Sequence, residues 1–171
     1  MYRPDRIDWK IIALLNEDGR MSVAEIARQL SDVSARTVSN RIKVLTEQCI
    51  INIRSIVNPE AVGYGVLADV FIEVEPGHVR GVAEHIANLP QVSYVACATG
   101  DTDVIISVRA RNINELYDFV IETLGKIPGV QHTQTIPLPY KIKSVVRWMP
   151  PDALEEGESN SSQDTSPAEG K

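Results

Sequence analysis

The chain has 171 residues, of which 43% are hydrophobic and 23% are charged, with a net charge of −6 at pH 7. This balance excludes a chain that is disordered throughout, and no apolar run approaches the ~20 residues that a membrane-spanning helix needs. Cys49 and Cys97 stand far apart without histidines at metal-ligand spacing, so neither a disulfide framework nor a metal site is expected. The charged N-terminus lacks a signal-peptide pattern, so we expect a cytoplasmic protein. The sequence contains no phosphate-binding loop, and no cofactor is expected.

The negative charge is concentrated towards the C-terminus. Residues 1–50 hold 8 Lys and Arg against 7 Asp and Glu, residues 51–149 hold 8 against 10, and residues 150–171 hold 1 against 6. The last segment is rich in Pro, Ser, Glu and Gly, so it is expected to be a disordered acidic tail. Two roles remain open for it, a solubility tail or an acidic competitor of DNA. Without it, the net charge does not argue against nucleic-acid binding.

Three short helices are predicted within residues 1–50. Asp5 can cap the first, Ser22 and Glu25 form a capping-box pattern before the second, and Ser34 can cap the third. Gly19 is expected to end the first helix in the left-handed conformation. Apolar residues at helical spacing predict the inward faces: Ile7, Ile11, Leu14, Leu15, Val23, Ile26, Ala27, Leu30, Val38, Ile42 and Leu45. This pattern is typical of a helix-turn-helix unit braced by a first helix.

The third predicted helix has a basic and polar outward face, because no acidic residue occurs between Ser34 and Thr46. Arginine, lysine and amide side chains supply charge for phosphates and donors for base edges. An ordinary solvated helix surface is the alternative. Within a helix-turn-helix unit, we expect this face to bind double-stranded DNA through Ser34, Arg36, Thr37, Ser39, Asn40, Arg41 and Lys43.

The rest of the chain predicts a second domain. Residues 51–65 are expected to be a β-rich linker closed by turn signals. Residues 66–149 are expected to form the second domain, and residues 66–138 within it contain a weak repeat of two βαβ units. The repeat predicts a ferredoxin-like βαββαβ sandwich, so the fold class is α+β: a winged or three-helix helix-turn-helix domain followed by a ferredoxin-like domain. Pro137 and Pro139 should interrupt the last strand, and residues 140–149 are expected to form a further strand or arm.

One face of the predicted sheet has no helices to cover it. Leu67, Phe71 and Ile105 fall on this face by strand alternation. An uncovered apolar patch usually marks a partner surface, so we expect a homodimer, with a tetramer or octamer also open. Scattered surface residues on a monomer are the alternative.

Motifs along most of the chain occur in a characteristic order. They lie at residues 8–15, 18–22, 25–27, 34–38, 41–45, 50–51, 58–59, 100–103 and 124–130. Together they resemble the Lrp/AsnC ("feast/famine") family of transcriptional regulators. The resemblance implies DNA binding by dimers or higher assemblies through the N-terminal domain. It also implies a C-terminal RAM (ligand-binding and dimerisation) domain, with an amino-acid effector held around the loop between its second and third strands.

That loop comprises Thr99, Gly100, Asp101, Thr102 and Asp103. A glycine permits positive φ and close backbone approach, and Asp101 or Asp103 can accept hydrogen bonds from an α-ammonium group. A plain hairpin turn is the alternative. Two features depart from the family pattern: Thr102 occupies a position that is commonly aromatic, and the turn before the third helix is one residue longer.

Two other functions fit the same resemblance. Siroheme decarboxylases are similar to this family in both domains, so the fold alone does not exclude catalysis. Such an enzyme needs histidines and basic residues in one pocket, whereas His78, His85 and His132 are expected to be structural or surface residues. A non-catalytic amino-acid sensor without its own operator is the other alternative. We expect a DNA-binding regulator and not an enzyme.

Overall fold

The computed structural model describes residues 2–143 and 148–151, and most of the predicted acidic tail, from residue 152 onward, lies outside the described residues. The chain divides into two compact units, one extending through Ile56 and the other comprising Val57–Ile142. Each unit has its own hydrophobic core. Among the described residues, no helix is long and apolar enough to cross a bilayer.

The first unit contains the three predicted helices: α1 (Arg6–Glu17), α2 (Val23–Leu30) and α3 (Ala35–Glu47). All three predicted N-caps are confirmed. The Asp5 carboxylate accepts hydrogen bonds from the first turn of α1, and Ser22 and Ser34 each accept one at 3.1 Å from the backbone three residues later. The helices pack around Ile11, Ile26 and Val38, which are fully buried.

The turn after α1 differs from its prediction. The positive-φ glycines of the described chain are Gly63, Gly77, Gly100 and Gly129, so the left-handed conformation predicted for Gly19 is wrong. The Asp18 carboxylate instead accepts a hydrogen bond from the Arg20 N–H at 2.9 Å, and this side-chain turn ends α1 without a left-handed residue.

The longer turn between α2 and α3 contains a residue with positive φ. Ser31 adopts φ 60°, and the N–H of Asp32 donates to the carbonyl of Leu30 at 2.7 Å. This hydrogen bond closes a γ-turn centred on Ser31. A positive φ is sterically unfavourable for Ser31, because its side chain has a Cβ atom. The additional residue is therefore accommodated within the turn, and Ser34 still begins α3 as its N-cap.

The linker differs from its prediction. No strand forms between residues 51 and 65, and the segment ends in a 3-10 turn at Glu60–Val62 followed by Gly63 at φ 90°. A β-strand requires a hydrogen-bonded neighbour, and the described part of the chain offers none to this segment. Ile53, Ile56 and Val57 are accordingly exposed.

The second unit has the predicted βαββαβ order. Its elements are β1 (Val66–Val74), α4 (Val79–Ala87), β2 (Val92–Cys97), β3 (Val104–Ala110), α5 (Ile113–Asp118) and β4 (Val130–Pro137). Helix α5 continues through a π-helical turn at Phe119–Thr123 and a 3-10 turn. The strands are antiparallel in the order β2-β3-β1-β4, which confirms the ferredoxin-like fold. Strand β4 ends at Pro137, and residues 138–143 form no further strand.

The two faces of the sheet have different surroundings. Val70, Ile72 and Ile106 point to the helices and are fully buried. On the opposite face, β1 and β3 place Leu67 beside Arg109, Asp69 beside Ser107, and Phe71 beside Ile105. All six of these residues are only partly buried. We call this face the open sheet face, and it contains the three predicted interface residues.

Candidate nucleic-acid interface and effector site

Helix α3 separates its core side from its outward side. At about 100° per residue, Val38, Ile42 and Leu45 share the side that packs on the domain core. Arg36, Ser39, Asn40 and Lys43 lie on the opposite side, and all four are exposed. The predicted reading face of α3 therefore consists of side chains that are free to meet the edges of bases.

The N-terminus of α3 adds hydrogen-bonding groups to the same region. The Ser34 hydroxyl accepts the Thr37 N–H at 3.1 Å and lies 2.9 Å from the Thr37 hydroxyl. The first turn has no acidic residue, so the partial positive charge of the helix N-terminus is not offset there. This end of the helix suits an approaching phosphate. Ser34 is at the same time the residue that begins the helix.

Lys43 and Arg36 are the cations of the reading face. The Lys43 ammonium group lies 3.8 Å from the Glu47 carboxylate, and both side chains are largely exposed. An exposed pair of this kind is weak, so Lys43 can exchange its partner for a phosphate. Among the ion pairs of the described residues, none involves Arg36.

Arg41 has a different environment from the other six predicted DNA-binding residues. Its Nη1 donates to Asp5 Oδ2 at 2.7 Å and to Asp8 Oδ1 at 2.9 Å. Its side chain is 24% exposed, and Asp8 is fully buried. Arg41 therefore joins α3 to the first turn of α1. Sequence analysis assigned it to DNA and gave no structural role to Asp8.

The same contacts shift the pKa values of the groups involved. Burial alone would raise the pKa of Asp5, but hydrogen bonds from the Asp8 N–H and from Arg41 outweigh it and lower that pKa. Hydrogen bonds to Asp5 and Asp8 raise the pKa of Arg41. The hydroxyl of Tyr2 donates to Asp8 Oδ2 at 2.7 Å, and this bond raises the pKa of Tyr2. Each shift favours the protonation state that preserves the cluster.

The predicted effector loop connects β2 to β3. Gly100 has φ 126°, in line with the conformational freedom expected there. Asp103 is tied to β1, because its Oδ2 accepts the Val74 N–H at 2.8 Å and its own N–H donates to the Ile72 carbonyl at 3.1 Å. Asp101 is exposed, so of the two predicted carboxylates it is the more available to a ligand.

A cavity of about 430 Å³ lies at the opposite end of the sheet from this loop. The Arg111 guanidinium lies over the Tyr64 ring, 4.9 Å from its centroid, and donates to the Tyr64 hydroxyl at 3.0 Å. The Arg111 N–H also donates to the Glu115 carboxylate at 2.8 Å. The lining residues are Val57, Pro59, Val62, Tyr64, Pro90, Gln91, Arg109, Arg111 and Glu115. Sequence analysis missed this site because its residues are dispersed and follow no motif.

The three histidines do not converge. His78 and His85 belong to the start and the body of α4. His132 pairs with Glu73 across the sheet, on the open sheet face. Within the described residues, no group of three or more His, Cys, Asp or Glu side chains is arranged to hold a metal ion.

Comparisons with known proteins agree with this architecture. Residues 5–46 match the AsnC-type helix-turn-helix domain, and residues 67–144 match the Lrp/AsnC ligand binding domain. The chain is 38% identical over 145 residues to an uncharacterized HTH-type transcriptional regulator of Pyrococcus abyssi, covering 84% of this chain and 89% of that one. It is 37% identical over 133 residues to the HTH-type transcriptional regulator FL11 of Pyrococcus furiosus, covering 77% and 87%.

Solved structures show the same likeness. The AsnC protein of E. coli superposes with a TM-score of 0.78 at 26% identity, covering 84% of this chain and 97% of that one. A transcriptional regulator of Neisseria meningitidis in complex with L-Met superposes with a TM-score of 0.77 at 26% identity, covering 83% and 94%. These matches place the chain in the class of helix-turn-helix proteins that carry a C-terminal ligand-binding domain. The chain belongs to the Lrp/AsnC family.

Proposed function

We propose that this protein is a transcriptional regulator that binds a specific sequence of double-stranded DNA through α3. The observation that carries the proposal is the outward side of α3, where Arg36, Asn40 and Lys43 are exposed opposite the buried Val38 and Leu45. Arginine and asparagine are the side chains that form paired hydrogen bonds with guanine and adenine in the major groove. The helix-turn-helix motif places the N-terminal half of this helix against base edges.

The test is selection of binding sites from a random duplex library, followed by fluorescence anisotropy with the selected duplex and a scrambled one. A specific regulator should bind the selected duplex ~10³-fold or more tightly at physiological salt. Equal affinity for both duplexes, or no enriched sequence, contradicts the proposal. If an amino acid still binds in that case, the protein is a sensor without its own operator.

The protein acts in this proposal as a homodimer or a higher assembly built through the open sheet face. This face holds partly buried apolar side chains, Leu67, Phe71 and Ile105, and no helix of its own unit covers it. A single helix-turn-helix spans one half-site, whereas a dimer spans two with the spacing of the helical repeat of DNA. Dimerisation therefore supports sequence-specific binding.

An amino acid or a similar small molecule modulates DNA binding in this proposal. The relative from Neisseria meningitidis was solved with L-Met, which supports an effector of the same chemical class here. The predicted site is the loop formed by residues 99–103, in which Asp101 offers a carboxylate to an α-ammonium group. The cavity beside Arg111 is a second candidate location, because Arg109 and Arg111 suit a carboxylate and Glu115 suits an ammonium group.

Calorimetric titration of the twenty amino acids into wild type and into two variants, Asp101→Asn and Arg111→Gln, distinguishes the loop from the cavity as the effector site. Binding lost in Asp101→Asn and kept in Arg111→Gln places the effector at the loop, and the reverse result places it at the cavity. Thr102 in place of an aromatic side chain suggests an effector that is smaller or more polar. If no amino acid binds wild type, the effector part of the proposal is wrong and the DNA-binding part still stands.

The proposed regulator is not an enzyme, and it acts in the cytoplasm, where it reaches the chromosome. The dispersed histidines support the absence of tetrapyrrole chemistry. When an iron tetrapyrrole is added, the absorbance spectrum of the mixture should equal the sum of the separate spectra of the protein and the tetrapyrrole. A shifted absorption band that saturates at one ligand per chain would favour the decarboxylase alternative.

A further inference from the structure

A fully buried carboxylate lies at the junction of α1 and α3. Asp8 Oδ1 accepts a hydrogen bond from Arg41 at 2.9 Å, and its Oδ2 accepts two more, from the Tyr2 hydroxyl at 2.7 Å and the Asp5 N–H at 3.0 Å. Burial of a charge without partners is costly. Here three donors, one of them a guanidinium, compensate for the lost hydration, and the resulting bonds are charge-assisted and directional.

The position of Arg41 around α3 explains its choice of partner. At about 100° per residue, Arg41 lies beside the buried Leu45 and away from the centre of the reading face near Arg36 and Asn40. Its guanidinium binds two carboxylates through one nitrogen. A phosphate contact through Nη1 would take the only charged donor away from the buried Asp8 carboxylate, which is unfavourable.

We propose that Asp8 and Arg41 are positioning residues, which set the orientation of α3 on α1 so that its exposed side chains meet base edges in register. The proposal rests on the function proposed above. Apolar contacts such as those of Val38 are non-directional, so they define the rotation of α3 less sharply than a hydrogen bond does. The Asp8–Arg41 pair adds a directional connection from the first turn of α1 to the middle of α3. Paired base contacts tolerate little displacement, so loss of this connection should reduce sequence discrimination in particular.

The experiment compares Arg41→Gln with Lys43→Gln, which removes a neighbouring cation of the same helix. Affinity is measured by anisotropy for the selected and the scrambled duplex between 50 and 200 mM salt. Arg41→Gln should weaken the selected duplex at least tenfold and leave the scrambled duplex and the salt slope unchanged. Lys43→Gln should weaken both duplexes alike and reduce the slope by ~0.9. A slope reduced by the same amount in Arg41→Gln would show that Arg41 contacts a phosphate and would overturn the proposal.

Asp8→Asn changes the charge in the opposite direction to Arg41→Gln, because it removes a negative charge. Removal of a negative charge near DNA should tighten binding to every sequence if only net charge matters. The positioning role instead predicts weaker binding to the selected duplex and a loss of discrimination between the two duplexes. The double variant Asp8→Asn/Arg41→Gln should lose no more discrimination than either single variant, because one interaction is removed in all three. Additive losses would contradict coupling of the two residues.

Circular dichroism at the temperature of the binding measurements checks that each variant is folded. Arg41→Lys preserves the charge and is the variant for comparison if Arg41→Gln or Asp8→Asn does not fold. A single ammonium group does not reproduce the planar guanidinium geometry, so Arg41→Lys should retain the salt slope and lose discrimination. Full discrimination in a folded Arg41→Lys variant would overturn the proposal. If wild type itself shows no preference between duplexes, the proposed function fails instead.

Discussion

The residues of α3 are expected to have separable roles in DNA binding. Arg36 lies on the exposed side in the N-terminal half of the helix, where helix-turn-helix proteins contact bases. Arg36→Ala should reduce discrimination between the selected duplex and a singly substituted one by ~1–3 kcal/mol, because a two-bond contact with guanine is lost. Competition anisotropy measures this difference. Lys43→Ala is the control, since it should lower affinity for both duplexes equally; unchanged discrimination in Arg36→Ala would remove Arg36 from the base contacts.

The hydrogen bonds of Asp5 predict a dependence of stability on pH. The pKa of Asp5 is lowered in the folded protein, so ionised Asp5 stabilises the fold above its unfolded pKa of about 3.9, and this contribution is lost as the pH falls through the lowered value. Chemical denaturation between pH 6 and pH 2 should therefore show a steeper acid loss in wild type than in Asp5→Asn, which keeps a capping side chain. Identical pH profiles would contradict this account of Asp5.

The sequence predicted local contacts of these residues better than distant ones. The caps at Asp5, Ser22 and Ser34 follow from side chains that bond to the backbone two or three residues later, and such spacing is visible in a sequence. Asp8 also completes a reciprocal cap with Asp5. Its bond to Arg41 joins residues 33 positions apart, and no local pattern indicates that partner.

Among the secondary-structure elements, α2 and α3 begin in the same way, with Ser22 and Ser34 as their N-caps. Both have extended backbone conformations and accept one backbone hydrogen bond at 3.1 Å. Replacement by alanine should cost about 1 kcal/mol of unfolding free energy in each case, as measured by urea denaturation. Only Ser34→Ala should also weaken DNA binding, because Ser34 begins the reading helix. Equal DNA affinities in the two variants would restrict Ser34 to its capping role.

The helices and strands were largely predictable, since apolar periodicity marks each buried face. The exceptions have local physical causes. Residues 51–65 carry strand-forming side chains but have no ladder partner in the described chain, so no strand forms. Gly19 is dispensable as a left-handed cap because Asp18 ends the helix by its side chain. Ser31 takes the positive φ in the longer turn, and no preference of serine predicts this.

At the scale of the whole molecule, the open sheet face predicts assembly. Phe71 lies opposite Ile105 on β3 and Gln134 on β4, near the middle of that face. Phe71→Asp should shift the protein towards monomer in sedimentation velocity, because a charge would be buried in an apolar interface. Ile113→Asp is the control, since Ile113 is an exposed apolar residue of α5. A monomeric wild type at micromolar concentration would contradict the dimer.

The architecture of the second domain followed from its repeat, whereas the location of a ligand did not. The loop at residues 99–103 was identified by resemblance to the family. Asp103 proves to be bonded to β1, and such a long-range contact has no local signature. The cavity beside Arg111 brings together residues from the linker, the start of β2, the end of β3 and α5, so only the folded sheet shows it.

Hydroxyl-radical footprinting on the selected duplex shows whether the protein binds specific DNA as a dimer through α3. In the proposed dimer, each protomer contributes one α3 to one half-site. We expect two inverted half-sites whose centres lie about 10 base pairs, or a multiple of that, apart. Protection should disappear from both half-sites in Phe71→Asp at concentrations where it is monomeric. A single protected half-site in wild type, or uniform protection without sequence preference, would contradict specific binding by a dimer.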